Sequence, residues 1–169
     1  KTDADLIMKY REMAEHPECD MAIENIIQEA IVTNQARNPV DLDLTHTDLS
    51  KNLQDRISDE FEIILKLLDF NNKAYDIFKR WYIEGRIFYH AMIDPKEIEK
   101  GIQELRLIDS FKIKKVRQII PDQKQAPGVF KLPKFEEYYL FNEKGLLTPS
   151  QMGVKVAPDS MIMAHSDRK

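Results

Sequence analysis

The chain has 169 residues, 43% hydrophobic and 32% charged, with 29 acidic against 25 basic side chains for a net charge of -4. That length allows a globular body burying roughly 70% of its unfolded surface, and the composition excludes a fibrous or low-complexity chain. The acidic balance gives no overall attraction to a polyanion, so free DNA is not an expected ligand of this piece alone.

Thr2 or Asp3 can cap a first helix, whose Leu6, Ile7, Tyr10, Met13 and Ala14 share one face before His16 and Pro17 end it. A second helix is expected over 18–33, with Ala22, Ile23, Ile26, Ile27, Ala30 and Ile31 as its core stripe and 34–39 as its exit loop. Val40, Leu42 and Leu44 alternate with Asp41, Asp43 and Thr45, the period of a short edge strand. The third helix, 50–68, turns Leu53, Ile57, Phe61, Ile64, Leu65 and Leu68 inward and keeps Lys51, Asp55, Arg56, Asp59 and Glu60 in solvent.

Residues 69–72 break the pattern and open a fourth helix, with Ala74, Tyr75, Phe78, Trp81 and Tyr82 toward the core, which Gly85 ends. From Arg86 to Ile93 the period becomes two, with Ile87, Tyr89, Ala91 and Ile93 on one face and Phe88, His90 and Met92 on the other, both expected to be covered. Asp94 and Pro95 force a turn, and a strand around Leu105 and Leu107 ends near Asp109. Further strands are expected at 113–120, 135–142, 154–157 and 161–165, with a mobile loop over 121–133 around Pro127 and Gly128. The fold class is therefore α+β: about four helices in a lobe over 1–85, then a mostly antiparallel β lobe over 86–169, together one domain.

The residues offer little chemistry. Cys19, the single cysteine, cannot form an internal disulfide, which points to a reducing compartment. No apolar run is long enough to span a membrane, and the first residues lack a signal-peptide centre. The chain begins at Lys1 rather than methionine and stops just after an expected strand, so it is read as a fragment. His16 with Cys19, and His46 with Asp48, have the residue types of small ligand or acid/base sites, but packing and chance spacing explain them as well. Ser160, His165 and Asp167 have the residue types of a hydrolase triad without a nucleophile elbow, and no phosphate-binding glycine loop is present. Lys112, Lys114, Lys115 and Arg117 divide between two faces of a strand, which suits a protected edge or a subunit contact better than a DNA groove. No catalytic, cofactor or metal residue is assigned. The alternatives kept open are a metal-assisted hydrolase using His90 and Asp94, and an adaptor binding a protein through an exposed β edge.

The stretch RWYIEGRIFYHAMIDP, followed by KGIQELRLID and IKKVRQII, resembles the portal vertex proteins of T-even-like, contractile-tailed bacteriophages. LIMKYREMAEHPECDMAIENIIQEAIV is similar to that family's leading helices, and EYYLFN and VKVAPDSMIMAHS to its later strands, so nearly the whole chain is covered in order. Ser110 stands where the family usually has proline, and Asp167 where it usually has glycine. The resemblance implies the wing of a portal subunit, without stem, clip or crown, and a non-enzymatic role. Its implied setting is a closed ring of about twelve subunits at one capsid vertex, in the virion after assembly in the host cytoplasm. Double-stranded DNA passes through such a channel without sequence-specific binding. The implied partners are the major capsid protein, the terminase large subunit and neck proteins. On this reading Arg80, Trp81, Tyr82, Gly85, Arg86, Tyr89 and His90 form an architectural motif. Trp81 and Tyr82 anchor the fourth helix on the β region, and Arg80 and Arg86 flank its end, open to an intersubunit role.

Overall fold

The computed structural model describes residues 2–31, 39–120, 134–146 and 153–166. Four helices come first, α1 (Asp3–Ala14), α2 (Pro17–Ala30), α3 (Lys51–Leu68) and α4 (Phe70–Glu84). Six strands follow, β1 (Arg86–Met92), β2 (Glu104–Ile108), β3 (Ile113–Ile120), β4 (Lys134–Phe141), β5 (Val154–Val156) and β6 (Met161–His165), with 3-10 turns at Ile98–Lys100 and Pro158–Ser160. All strand pairings are antiparallel, in two sheets ordered β2-β1-β6 and β3-β4-β5. The α+β class expected from the sequence is the one observed.

Local chemistry explains the helix boundaries. At the start of α1 the Thr2 hydroxyl accepts from the Asp5 N–H at 3.2 Å while the Asp5 carboxylate accepts from the Thr2 N–H at 2.8 Å, a reciprocal cap. Helix α2 runs to Ala30 and Ile31 is already non-helical, a β-branched residue that loses side-chain freedom in a helix; the rest of the expected helix, 32–33, lies outside the described residues. Gly85 ends α4 in the left-handed region at φ +67°, donating its N–H to the Trp81 carbonyl at 2.8 Å, and its own carbonyl accepts from the Ser166 N–H at 2.9 Å. One glycine thus turns the helix into β1 and ties that corner to the end of β6.

Several expectations fail, among them the core stripe of α2, where Ile27 is buried but Ala22, Ile26 and Ala30 are exposed. The alternation at 40–44 does not form a strand, because the Asp43 carboxylate accepts from both the N–H (2.9 Å) and the hydroxyl (2.6 Å) of Thr45 and curls the chain locally. Helix α3 does not bury its stripe: Leu65 is buried, whereas Leu53 and Ile64 stay 41% and 48% exposed. The neighbours of α3 are α4 and β2, which meet its C-terminal end around Leu67 and Leu68. Leu53, Ile57, Phe61 and Ile64 instead line an open cleft of about 390 Å³ with Leu42. All but Pro39 of the expected loop over 34–39, and all of that over 121–133, lie outside the described residues, as does Asp167.

The two faces of β1 set the layers. Ile87 and Tyr89 are buried on the helix side, where Tyr89 shares a cleft with Arg80, Ile83 and Glu84 of α4. Phe88 is buried on the other side among Ile113, Tyr139 and Met161, with its ring edge-on to Tyr139 at 6.1 Å. The first sheet is therefore sandwiched between the helices and the second sheet, which is why β1 carries apolar residues on both faces. On the far side of the helical layer, α2 is held to α4 by Lys79, which contacts Glu24 and also Asp20 at 3.3 Å, and by the Tyr75 hydroxyl, which donates to Glu24.

Candidate interaction surface

Where the helical layer meets β1 and β2, three charges from distant parts of the chain converge. The Arg11 guanidinium on α1 donates to one Glu84 oxygen from Nη2 at 2.6 Å and from Nε at 3.0 Å. It also donates to the Asp109 carboxylate just after β2, at 2.6 Å from Nη2 and 3.4 Å from Nη1. Glu84 is only 5% exposed. Burial opposes charge at Asp109, but the bonds from Arg11 and from the Phe111 N–H outweigh it and hold the carboxyl below its usual range. This node fastens α1 and the end of α4 to the β2 end of the first sheet.

Two open clefts flank β2. The helix-side cleft, about 640 Å³, lies against α4 and the end of α3; the inter-sheet cleft, about 570 Å³, lies between the two sheets. Arg80, Arg106 and Leu107 line both. In the helix-side cleft the second Glu84 oxygen and the Tyr89 hydroxyl are buried without a hydrogen-bond partner among the described residues. Burial pushes the Tyr89 hydroxyl pKa up, and the nearby charge of Arg80 pulls against it.

The architectural motif read from the sequence divides here. Gly85 makes the corner and Tyr89 is buried beneath α4. Arg86 is paired with Asp3 at 3.1 Å, whereas Arg80 forms no ion pair among the described residues. Tyr82 does not point into the core as expected: it is 39% exposed, with its ring stacked on Phe78 at 6.2 Å. Trp81 is half-buried, its ring 5.7 Å from Phe78. Trp81→Ala is accordingly expected to cost about 1–2 kcal/mol rather than the roughly 3–5 kcal/mol of a fully enclosed aromatic. Urea unfolding followed by circular dichroism measures that difference as a shifted midpoint at constant slope.

Among the described residues the metal and acid/base candidates do not assemble, and Asp167 lies outside them. His90 lies on the second-sheet side of β1 and lines the inter-sheet cleft, while Asp94 accepts from the Lys96 N–H at 2.8 Å in the turn beyond β1. Among the described residues no three His, Cys, Asp or Glu side chains form a metal-holding group. His16 and Cys19 are exposed at the start of α2, and His46 and Asp48 are exposed before α3. Ser160 donates to the Ala157 carbonyl at 2.8 Å within its 3-10 turn.

The basic stretch on β3 is largely matched by carboxylates. Lys115 and Arg117 face Glu137 of β4 at 2.8 Å and 3.6 Å, Arg117 also covers the Phe135 ring at 4.2 Å, and Lys112 pairs with Glu143 at 2.8 Å. Glu137, two strand positions from Tyr139, is what the sequence reading missed: the cross-strand register brings it opposite Arg117. Such a strand presents little net charge to a phosphate backbone. Among the described residues no helix is long and apolar enough to cross a membrane.

Comparison with known proteins agrees with the resemblance carried by the motif. The portal protein of Vibrio phage KVP40 is 32% identical over 170 residues, covering 96% of this chain and 32% of that protein. The portal protein of Salmonella phage ViI is 28% identical over 138 residues, covering 81% of this chain and 24% of that protein. This chain thus spans about a third or less of the length of these curated relatives. The family model described as Bacteriophage T4-like portal protein (Gp20) matches residues 3–169, from the first helix through the last described strand, and the chain belongs to that family.

Proposed function

We propose that this chain is the wing-like part of a portal subunit, one domain of a ring through which DNA enters and leaves a phage head. The observation that carries the reading is the family match over residues 3–169, taken with two relatives that are both named portal proteins.

The role is structural rather than catalytic. Identical subunits meeting head to tail close a channel by symmetry, and every contact is repeated around the ring. An acidic body with its β3 cations paired to carboxylates lets DNA pass without holding it. The major capsid protein, the terminase large subunit and neck proteins are the partners proposed for the whole protein, at the capsid vertex of the virion and, during assembly, in the host cytoplasm.

The test is the mass of the full-length protein in solution, by light scattering coupled to size exclusion, with particle images of the same sample. A closed ring of about twelve subunits with an axial hole is expected. A discrete monomer or dimer at high concentration would overturn the reading.

A further inference from the structure

Helices α1 and α2 lean on each other and on α4, whereas α4 also carries α3 and β1. Polar ties fasten this helix pair along its length. On α1, Asp3 accepts from Arg86 at 3.1 Å, and Arg11 donates to Glu84 at 2.6 Å and 3.0 Å and to Asp109 at 2.6 Å. On α2, Glu24 accepts from Lys79 and from the Tyr75 hydroxyl, and Asp20 accepts from Lys79 at 3.3 Å. Each of these ties ends on a carboxylate.

Such ties hold weakly for their number. Pairs that solvent reaches contribute little, and the Asp3 and Asp20 side chains are 65% and 49% exposed. The enclosed pair, Arg11 with Glu84, sets its attraction against the desolvation of both charges. Glu84 also keeps one buried oxygen without a partner among the described residues, which opposes closure. Apolar burial within the pair is confined to Ala4, Ile7 and Ile27. The two sheets, by contrast, are joined by the larger cluster of Phe88, Ile113, Tyr139 and Met161.

We propose that α1 and α2 form a strap clipped over α4 by charge, which lifts away as one piece while the two sheets stay closed. Ile7 and Ile27 are both fully buried, one from each helix, so lifting either helix alone would strip cover from the isoleucine of the other. Lifting the pair hydrates Arg11 and Glu84 together, which avoids the stranded charge that loss of one partner leaves in the closed form. It also gives water to the second Glu84 oxygen and uncovers the face of α4 that carries Tyr75 and Lys79. Stability is commonly uneven in this way, with an outer unit opening below the global transition. The strap is a property of one subunit and does not depend on the ring.

The experiment is native-state amide hydrogen exchange on the full-length protein, read separately for residues 3–30 and for β1, β3 and β4. Protection in α1 and α2 is expected to be at least about a hundredfold below that of the strands. Lys79→Met keeps the aliphatic stem and removes the charge that binds Asp20 and Glu24, both on α2. It should quicken exchange about tenfold in α1 as well as α2, leave the strands unchanged, and be largely reversed in Lys79→Arg. Helices as protected as the strands would overturn the proposal, because the pair would then open only with the whole body. Quickening confined to α2 would show two independent helices, and no quickening in either would show that charge does not hold the strap; both results overturn it.

Discussion

Replacing Arg11 with alanine should lower the stability of this chain by about 3–5 kcal/mol, the cost of leaving a buried carboxylate without its counter-charge. Glu84 is 5% exposed and takes two bonds from Arg11 on one oxygen, with no partner among the described residues for the other. Deleting the guanidinium strands that charge inside the helix–sheet junction. Glu84→Gln is milder, about 1 kcal/mol, because Arg11 keeps Asp109 and the amide oxygen can still accept. The double variant Arg11→Met with Glu84→Leu should lose less than Arg11→Ala alone, so that a double-mutant cycle reports strong coupling.

Acid adds a second check. The Asp109 carboxyl is held below its usual range despite its burial, chiefly by the bond from Arg11. A depressed folded-state pKa contributes stability that is present above the unfolded value, about 3.9, and is lost as pH falls through the folded value. The intact chain should therefore lose stability below about pH 4 more steeply than Arg11→Ala, in which this source is gone. Denaturant midpoints between pH 3 and 7 measure both effects. Equal acid slopes in the two proteins would show that Arg11 does not control Asp109.

Much of the fold was legible because it is local. The capping residue Thr2, the period change at Gly85 and the two covered faces of β1 are carried by neighbouring residues, and β3 and β6 lie at the positions their alternation predicts. What failed needed a neighbour to decide it. Val40, Leu42 and Leu44 alternate, but a strand exists only when another strand pairs with it, and Asp43 offered a nearer bond to Thr45. The stripe on α3 is a true helical face, yet periodicity does not say what covers it, and here Leu53 and Ile64 remain open. The node was illegible for the same reason: Arg11 lies 73 residues from Glu84 and 98 from Asp109, and each taken singly reads as a surface charge. The motif around Trp81 pointed to a family rather than to chemistry. In the structure Gly85 makes the corner, Tyr89 is buried, Arg86 pairs with Asp3, and Arg80 forms no ion pair among the described residues, its charge acting on Asp109.

Phe88→Ala should be as damaging as the loss of Arg11, about 3–5 kcal/mol, through a different mechanism. Phe88 is 2% exposed and is among the largest fully buried side chains of the described residues. It stands on the second-sheet face of β1, packed with Ile113 of β3, Tyr139 of β4 and Met161 of β6, so one ring joins both sheets. Truncation removes the apolar contacts and the edge-on pairing with Tyr139, leaving a cavity that the paired strands can close only in part. Phe88→Leu keeps most of the volume and should cost about 1–1.5 kcal/mol. Because Phe88 faces the second sheet while Arg11 and Glu84 bind the helices to the first, the two losses should differ in where they loosen the molecule. Amide exchange should quicken mainly in β3, β4 and β5 for Phe88→Ala, and mainly in α1 and the end of α4 for Arg11→Ala. A Phe88→Ala protein whose second sheet exchanges no faster than the intact chain's would show that this ring is not what holds the sheets together.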